Sequence, residues 1–411
     1  MSTCTETSVH VAEKQHRSSG DYKTSLYNWI TDSDGKTIIY NGATGCLAEV
    51  EPQYLDQIRP VVESMPGEAI DTSFISEPLH QQLVSGGFLV SIDIDEREFL
   101  RQVLLAPRYM TEICNISAVV TTRCNFACPY CVQDSSRGTD MKPEVVDRIL
   151  ELVRKTRSQS FSISFYGGEP LLVPDTVCEI MRELKKISSE KGINLYHLLV
   201  TNGYLLDADT TQELSRNGID HLQVTLDGNK EYHDKRRVLK DGNGTFDRII
   251  ENIITASRCM DIDVRMNLES SMHTTCAEVA HVESALQGHQ RIHLYAAPTR
   301  WSDSIDATKR NISSVCKCFP NRYYYKNRLE AGIPGCCAVS LSSRVVLPDG
   351  RFVLCWDEVG TDHPDYGSLL ERNYPDPSRK SMWMRWDPYL NEPCASCRFL
   401  PTCRGSCPKD W

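Results

Sequence analysis

Between residues 117 and 295, short β-prone stretches alternate with amphipathic helical ones, and that alternation leaves few folds open. Strands are expected at 117–121, 162–165, 197–201, 221–225, 263–268 and 291–295, with helices at 143–156, 174–191, 208–217 and 246–259 among the connections. Strands separated by helices make a parallel sheet with right-handed crossovers. Six such units fall short of the eight that close a TIM barrel. The expected fold class is therefore α/β, a partial (β/α)6 TIM-like barrel over residues 111–310.

Residues 1–110 precede it: a polar tail to about 22, a hairpin across Asp32-Ser33-Asp34-Gly35, helical patterns near 52–63 and 78–85, and a strand at 88–92. They suggest a small winged-helix-like α+β domain, with 96–105 as a link. Residues 311–411 are rich in Cys, Pro, Gly and Asp, with one clear hairpin at 344–354. A segment so poor in apolar runs needs cross-links to fold, and metal would supply them.

In parallel barrels the C-terminal strand ends form the active site. Here those ends collect the unusual residues: Gly167-Gly168-Glu169-Pro170, Thr201-Asn202-Gly203, Thr225-Leu226-Asp227-Gly228, and Arg265 with Asn267.

The N-terminus has no apolar signal segment, and no run approaches the roughly 18 apolar residues of a membrane span. A net charge of -10 without a Lys/Arg-rich stripe argues against nucleic acid and against an anionic membrane as partners. The expected location is the cytoplasm, where the 18 cysteines stay reduced and clusters of them indicate metal. Cys4, Cys46, Cys114, Cys178, Cys259 and Cys276 are scattered and read as packing residues or free thiols. The others form two groups.

The first is Cys124-Asn125-Phe126-Ala127-Cys128-Pro129-Tyr130-Cys131, which begins where the first barrel strand ends. Three thiolates can hold three irons of a [4Fe–4S] cube and leave the fourth free to chelate a substrate. This Cys-x3-Cys-x2-Cys spacing resembles the radical S-adenosylmethionine enzymes. The resemblance implies a cluster on Cys124, Cys128 and Cys131, S-adenosylmethionine on its open iron, and a 5′-deoxyadenosyl radical after one-electron cleavage. It also implies cofactor contacts for some of the strand-end residues and for two residues outside them. Gly167, Gly168, Glu169 and Pro170 match the motif that receives the cofactor's ammonium group, and Thr225 with Arg237 matches the pair that holds its carboxylate. Tyr130 matches the aromatic residue at adenine, while Asn202 and Asn267 stand where ribose contacts occur.

The second group has Cys336, then Gly350 and Cys355, then Cys394, Cys397, Cys403 and Cys407 as Cys-x2-Cys-x5-Cys-x3-Cys. It resembles the SPASM extension of peptide-modifying radical enzymes, which holds one or two auxiliary [4Fe–4S] clusters. The resemblance implies Cys336, Cys355 and Cys407 for the first, with Cys316 or Cys318 as the fourth ligand and Cys318 preferred; Cys337 is expected to point away. Cys394, Cys397 and Cys403 would serve the second. The family pattern has a further cysteine beyond the position of Cys407 and none follows here, so a truncated end, an open cluster or a remote ligand all stay possible. A zinc ribbon on the last four thiols is the rival reading.

Sulfatase-maturing members carry an aspartate base directly after the cysteine that matches Cys355. That place is Trp356 here, which leaves Asp357 as the candidate proton acceptor. The N-terminal unit resembles the leader-binding domain of enzymes that act on ribosomally made peptides. The favoured expectation is a maturase that abstracts hydrogen from such a precursor and forms a carbon–carbon, ether or thioether cross-link, with a flavodoxin- or ferredoxin-like reductant. Sulfatase-type oxidation of a protein Cys or Ser and peptide epimerisation are the alternatives. A non-catalytic electron carrier sits poorly with the complete first set of thiols.

Overall fold

A computed structural model describes residues 21–33, 35–133, 138–268, 276–298, 336–361, 365–371, 377–405 and 407. Cys318 and its alternative Cys316 lie outside those residues. The described residues divide into two units, one of 21–107 with 385–407 and one of 108–298 with 336–384.

In the first unit β1 (Tyr22–Thr24) lies between β5 (Ala69–Ile70) and β6 (Leu89–Ser91), while β2 (Asn28–Ser33), β3 (Lys36–Asn41) and β4 (Leu47–Val50) form a second antiparallel sheet. The expected hairpin is present, but β2 runs on to pair Ser33 with Lys36. Helices α1 (Leu55–Glu63) and α2 (Glu77–Ser85) bring Ile58, Val61 and Leu83 onto Ile39 and Leu89 in a common core, and α3 (Glu96–Tyr109) follows. Residues 385–407 belong to this unit. Tyr389 and Leu400, the latter in the short helix α11 (Leu400–Cys403), pack with Tyr27, and Tyr40 Oη lies 2.8 Å from Thr402 Oγ1.

The second unit is the partial barrel. Its strands are β7 (Ile113–Thr121), β8 (Ser160–Gly167), β9 (Asn194–Thr201), β10 (His221–Asp227), β11 (Asp261–Leu268) and β12 (Ile292–Pro298). All six are parallel, in sequential order, and joined by α4 (Pro143–Lys155), α5 (Pro174–Lys191), α6 (Ala208–Arg216), α7 (Lys230–Arg236), α8 (Phe246–Ala256) and α9 (Cys276–Leu286). Strand β8 explains the layering. Phe161, Ile163 and Phe165 are fully buried against the helices, where Val145, Ile149, Ile180 and Leu184 meet them, whereas Ser162, Ser164 and Tyr166 point the other way and are half-buried. Parallel strands covered on both faces read as continuous apolar runs. This alternation marks an inner face that is open to polar ligands.

The hairpin β13 (Ser343–Val346) and β14 (Phe352–Val353) joins the barrel sheet, because β13 runs parallel to β7 and completes the order β12-β11-β10-β9-β8-β7-β13-β14. It covers the β7 edge that an unclosed barrel would leave unpaired. Helix α10 (Pro377–Met384) packs on the turn that follows Cys336. Among the described residues no helix is long and apolar enough to cross a membrane.

Candidate active site

The first thiol group lies on the loop after β7, and the strand ends beside it hold that loop by main-chain contacts. Gly168 N–H donates to Thr121 O (2.9 Å) and Glu169 N–H to Arg123 O (2.8 Å). The approach is too close for a side chain: a Cβ on Gly167 would stand 2.0 Å from Thr121 O, and one on Gly168 2.1 Å from Arg123 O. Gly167 also has a φ of +143°, which L side chains avoid. On the other flank Ala127 N–H donates to Val238 O (2.9 Å) and Lys240 N–H to Asn125 O (3.2 Å). The Asn202 amide, at the end of β9, donates to Asn125 Oδ1 (2.8 Å).

Cys124, Cys128 and Cys131 are electrostatic neighbours around one space. Burial pushes the Cys124 thiol up to about 11 and raises that of Cys128, which Arg237 partly offsets. Thiols so placed are protonated until a metal takes the proton's place. Among the described residues no three His, Cys, Asp or Glu side chains are gathered tightly enough to chelate a single ion.

Beside the thiols lies a cluster of buried polar side chains. The Glu169 carboxylate accepts from Thr201 Oγ1 (2.7 Å), Leu171 N–H (2.9 Å) and Asn202 N–H (2.7 Å), so Oε2 takes only one of these bonds. Asn267 donates to Asp227 Oδ1 (3.0 Å), and Arg237 donates to Tyr130 Oη (2.9 Å). The structure thus pairs Tyr130 with Arg237 and gathers Gly167, Gly168, Glu169, Pro170 and Asn202 at adjoining strand ends. Thr225 lies half-buried on the inner-facing side of β10, opposite Arg265 in register. Asp227, Asn125 and His233 were not among the expected contacts. Asp227 and Asn125 stood in plain view, one at a strand end and one inside the thiol motif. Asn125 Nδ2, Asp227 Oδ2 and Arg237 Nε are buried without a hydrogen bond, although Asp227 Oδ2 forms an ion pair with Arg236 Nε at 3.7 Å. Buried polar atoms are rarely left so. Two donors and an acceptor beside three thiols fit a ligand that carries carboxylate, ammonium and hydroxyl groups.

His233 fixes the segment that carries Arg237. Its Nδ1 accepts from Asp227 N–H (3.2 Å), so Nε2 bears the proton toward Thr245 Oγ1 (3.0 Å), which in turn donates to Arg237 O (2.5 Å). Burial, then the nearby Arg237 charge, drives the imidazole well below its ordinary value of 6.5. The unfolded chain therefore takes up this proton first. The stabilisation is fully present above about pH 6.5 and is lost as pH falls, by up to about 1.4 kcal/mol per pH unit. His233→Gln, which keeps an acceptor and a donor but does not titrate, is expected to flatten the fall in urea midpoint between pH 7 and pH 5.

The second thiol group meets the inner wall of the barrel. Trp356, directly after Cys355, stacks on Tyr166 with ring centroids 4.5 Å apart and donates from Nε1 to Ser117 Oγ (2.7 Å). Burial pushes the Tyr166 phenol up to about 12, with Cys131 and Cys355 both adding to the rise, so this ring neighbours a thiol of each group. Asp357 is half-buried in the turn Trp356–Glu358. Glu358 is buried, accepts from Leu354 N–H (2.8 Å) and pairs with Arg379 (2.7 Å). Cys337, expected to point away, is an electrostatic neighbour of Cys336 and Cys355 and donates to Leu354 O (3.6 Å), because the 3-10 turn Cys337–Val339 folds it inward. In the other unit Cys394 is an electrostatic neighbour of both Cys397 and Cys403, while Cys407 is half-buried.

Residues 118–267 match the Radical SAM superfamily. The chain thus contains a radical SAM domain, the domain of enzymes that use a [4Fe–4S] cluster with S-adenosylmethionine. A cysteine-type anaerobic sulfatase-maturating enzyme of Clostridium novyi (strain NT) is 30% identical over 147 residues, 34% of this chain and 38% of that enzyme. The chain therefore matches well under half the length of this curated relative. Two solved structures share the fold. Native anSMEcpe with bound AdoMet and Kp18Cys peptide has a TM-score of 0.59 at 19% identity, covering 72% of this chain and 89% of that one. Streptococcus suis SuiB bound to precursor peptide SuiA has a TM-score of 0.54 at 13% identity, covering 94% and 95%.

Proposed function

We propose that this protein is a radical SAM peptide maturase with a SPASM-type extension, which removes hydrogen from a ribosomally made precursor peptide and closes an intramolecular cross-link. The observation that carries the proposal is the Tyr166–Trp356 ring contact on the inner wall, because Tyr166 neighbours both Cys355 of the second thiol group and Cys131 of the first. Cys124, Cys128 and Cys131 would hold the cluster that binds S-adenosylmethionine, and when bound the pair supplies a 5′-deoxyadenosyl radical at the barrel mouth. Arg237, fixed by Tyr130 and His233, offers its Nε to a carboxylate. Glu169 Oε2 keeps a lone pair for an ammonium group, and Asp227 Oδ2 accepts from a hydroxyl. Burial of these side chains would keep water away, which protects a reactive carbon radical.

The remaining thiols would hold auxiliary clusters that accept the electron released when a cross-link forms. The first unit would bind the leader of the precursor at a sheet edge. Edge strand β4, with Leu47 67% exposed, suits that addition. The reductant would be flavodoxin- or ferredoxin-like, and the location cytoplasmic.

Sulfatase-type oxidation is the second reading, favoured by the 30% identity to the Clostridium novyi enzyme. In such members the base directly follows the matching cysteine. Here that residue is an indole engaged with Ser117 and Tyr166, and Asp357 would have to serve. The deciding experiment is anaerobic reconstitution with iron and sulfide, dithionite, S-adenosylmethionine and the peptide encoded next to the gene. Loss of two hydrogens from that peptide supports the cross-link. Loss of sulfur from a sulfatase-type Cys peptide, with the neighbour peptide unchanged, overturns it.

A further inference from the structure

Lys380 is an unusual residue to find buried, since lysine is almost never fully buried unless something compensates its charge. It is 8% exposed, on α10, its Nζ donates to Ser343 O (2.6 Å), and the ammonium lies 5.7 Å from the centre of the Tyr366 ring. Helix α10 packs on the turn after Cys336, which places that charge within electrostatic reach of both Cys336 and Cys337. The charged groups around it come from several elements. Arg344, on β13, acts on Lys380 as a second cation. Glu358 is taken by Arg379 at 2.7 Å. Cys336 and Cys337, which act on Lys380, form a connected thiol set with Cys355. Burial, then Arg344, lowers the ammonium to about 8, and the two thiols act in the opposite direction. A buried cation with another cation close by costs stability unless negative charge is meant to sit opposite it.

We propose that Lys380 is a positioning charge for the Cys336/Cys355 site, a buried ammonium that compensates the negative charge of a thiolate-bound iron–sulfur cluster and raises its reduction potential. The inference rests on the reading of these cysteines as auxiliary-cluster ligands. A reduced cluster carries one more electron than an oxidised one, so a fixed cation in a low-dielectric setting stabilises the reduced form more. Removal of the charge must therefore move the potential down.

The test uses the full chain, reconstituted anaerobically and titrated with dithionite while the auxiliary-cluster signal is followed by electron paramagnetic resonance. Poised at the wild-type midpoint, Lys380→Met is expected to lower the reduced-to-oxidised ratio at least tenfold, a midpoint shift of about 59 mV for one electron. Lys380→Arg keeps the charge and should leave the ratio near wild type. Lys380→Gln serves if the methionine variant does not fold by circular dichroism. An unchanged ratio in a folded, cluster-loaded neutral variant overturns the role of Lys380. The underlying cluster reading is tested separately: it falls if Cys336→Ala with Cys355→Ala retains as much iron as wild type.

Discussion

Cys128→Ala is expected to strip the barrel-mouth site of its iron and to abolish formation of 5′-deoxyadenosine, while the apoprotein stays folded. Cys128 is half-buried on a loop whose path is set by other bonds: Ala127 N–H to Val238 O, Lys240 N–H to Asn125 O, and the Asn202 amide to Asn125. Deleting one sulfur from a partly exposed position costs little of the stability that full core truncations remove, which is about 2–5 kcal/mol. The same deletion leaves two thiols for a cube that needs three, with no other described residue placed to take over. Iron and sulfide content, the ultraviolet–visible charge-transfer bands and 5′-deoxyadenosine yield read the cluster; the urea midpoint of apoprotein reads the fold. Cys259→Ala, in the turn after α8 where the thiol meets Ala256 O at 3.6 Å, is the control that should keep all three. Iron content equal to wild type in Cys128→Ala would remove the thiol motif from the site.

The strength of that expectation reflects how the site is encoded. The thiol spacing, the paired glycines and the strand-end polar residues are local signals, and each lies where a short stretch of sequence already specifies the backbone. The strands run longer than their apolar signal, for example Ser160–Gly167 against 162–165. Serines that face the open inner wall dilute the apolar signal that marks a buried strand. Contacts between distant segments left no local trace. Nothing near residue 343 announces that β13 will lie along β7, or that Trp356 will reach Ser117. Cys337 shows the same limit from the other side, because its direction depends on one 3-10 turn rather than on spacing. His233 reads as one of several charged residues in a helix, and only the fold reveals it as a buried neutral link between Asp227 and Thr245.

Glu169 shows how closely stability and ligand binding share one side chain. It is 0% exposed, and its carboxylate collects the ends of β8 and β9 through Thr201, Leu171 and Asn202. Burial raises its carboxyl, and these three donors oppose that rise. Glu169→Ala would leave a hydroxyl and two N–H groups unpaired in the interior. At about 1–3 kcal/mol for each unsatisfied group, the loss should reach several kcal/mol and lower the urea midpoint sharply. Glu169→Gln keeps the volume but turns an amide N–H₂ toward a donor that needs an acceptor, so a smaller loss is expected. Both variants remove the acceptor proposed for the cofactor's ammonium group. A hydrogen bond to a charged group contributes about 1.5–3 kcal/mol, so affinity for S-adenosylmethionine should fall about 10- to 100-fold even in the better-folded glutamine variant. Equilibrium dialysis of the reconstituted protein measures that affinity apart from turnover. A glutamine variant that binds S-adenosylmethionine as tightly as wild type would reduce Glu169 to a structural clamp and leave the ammonium group to another buried acceptor.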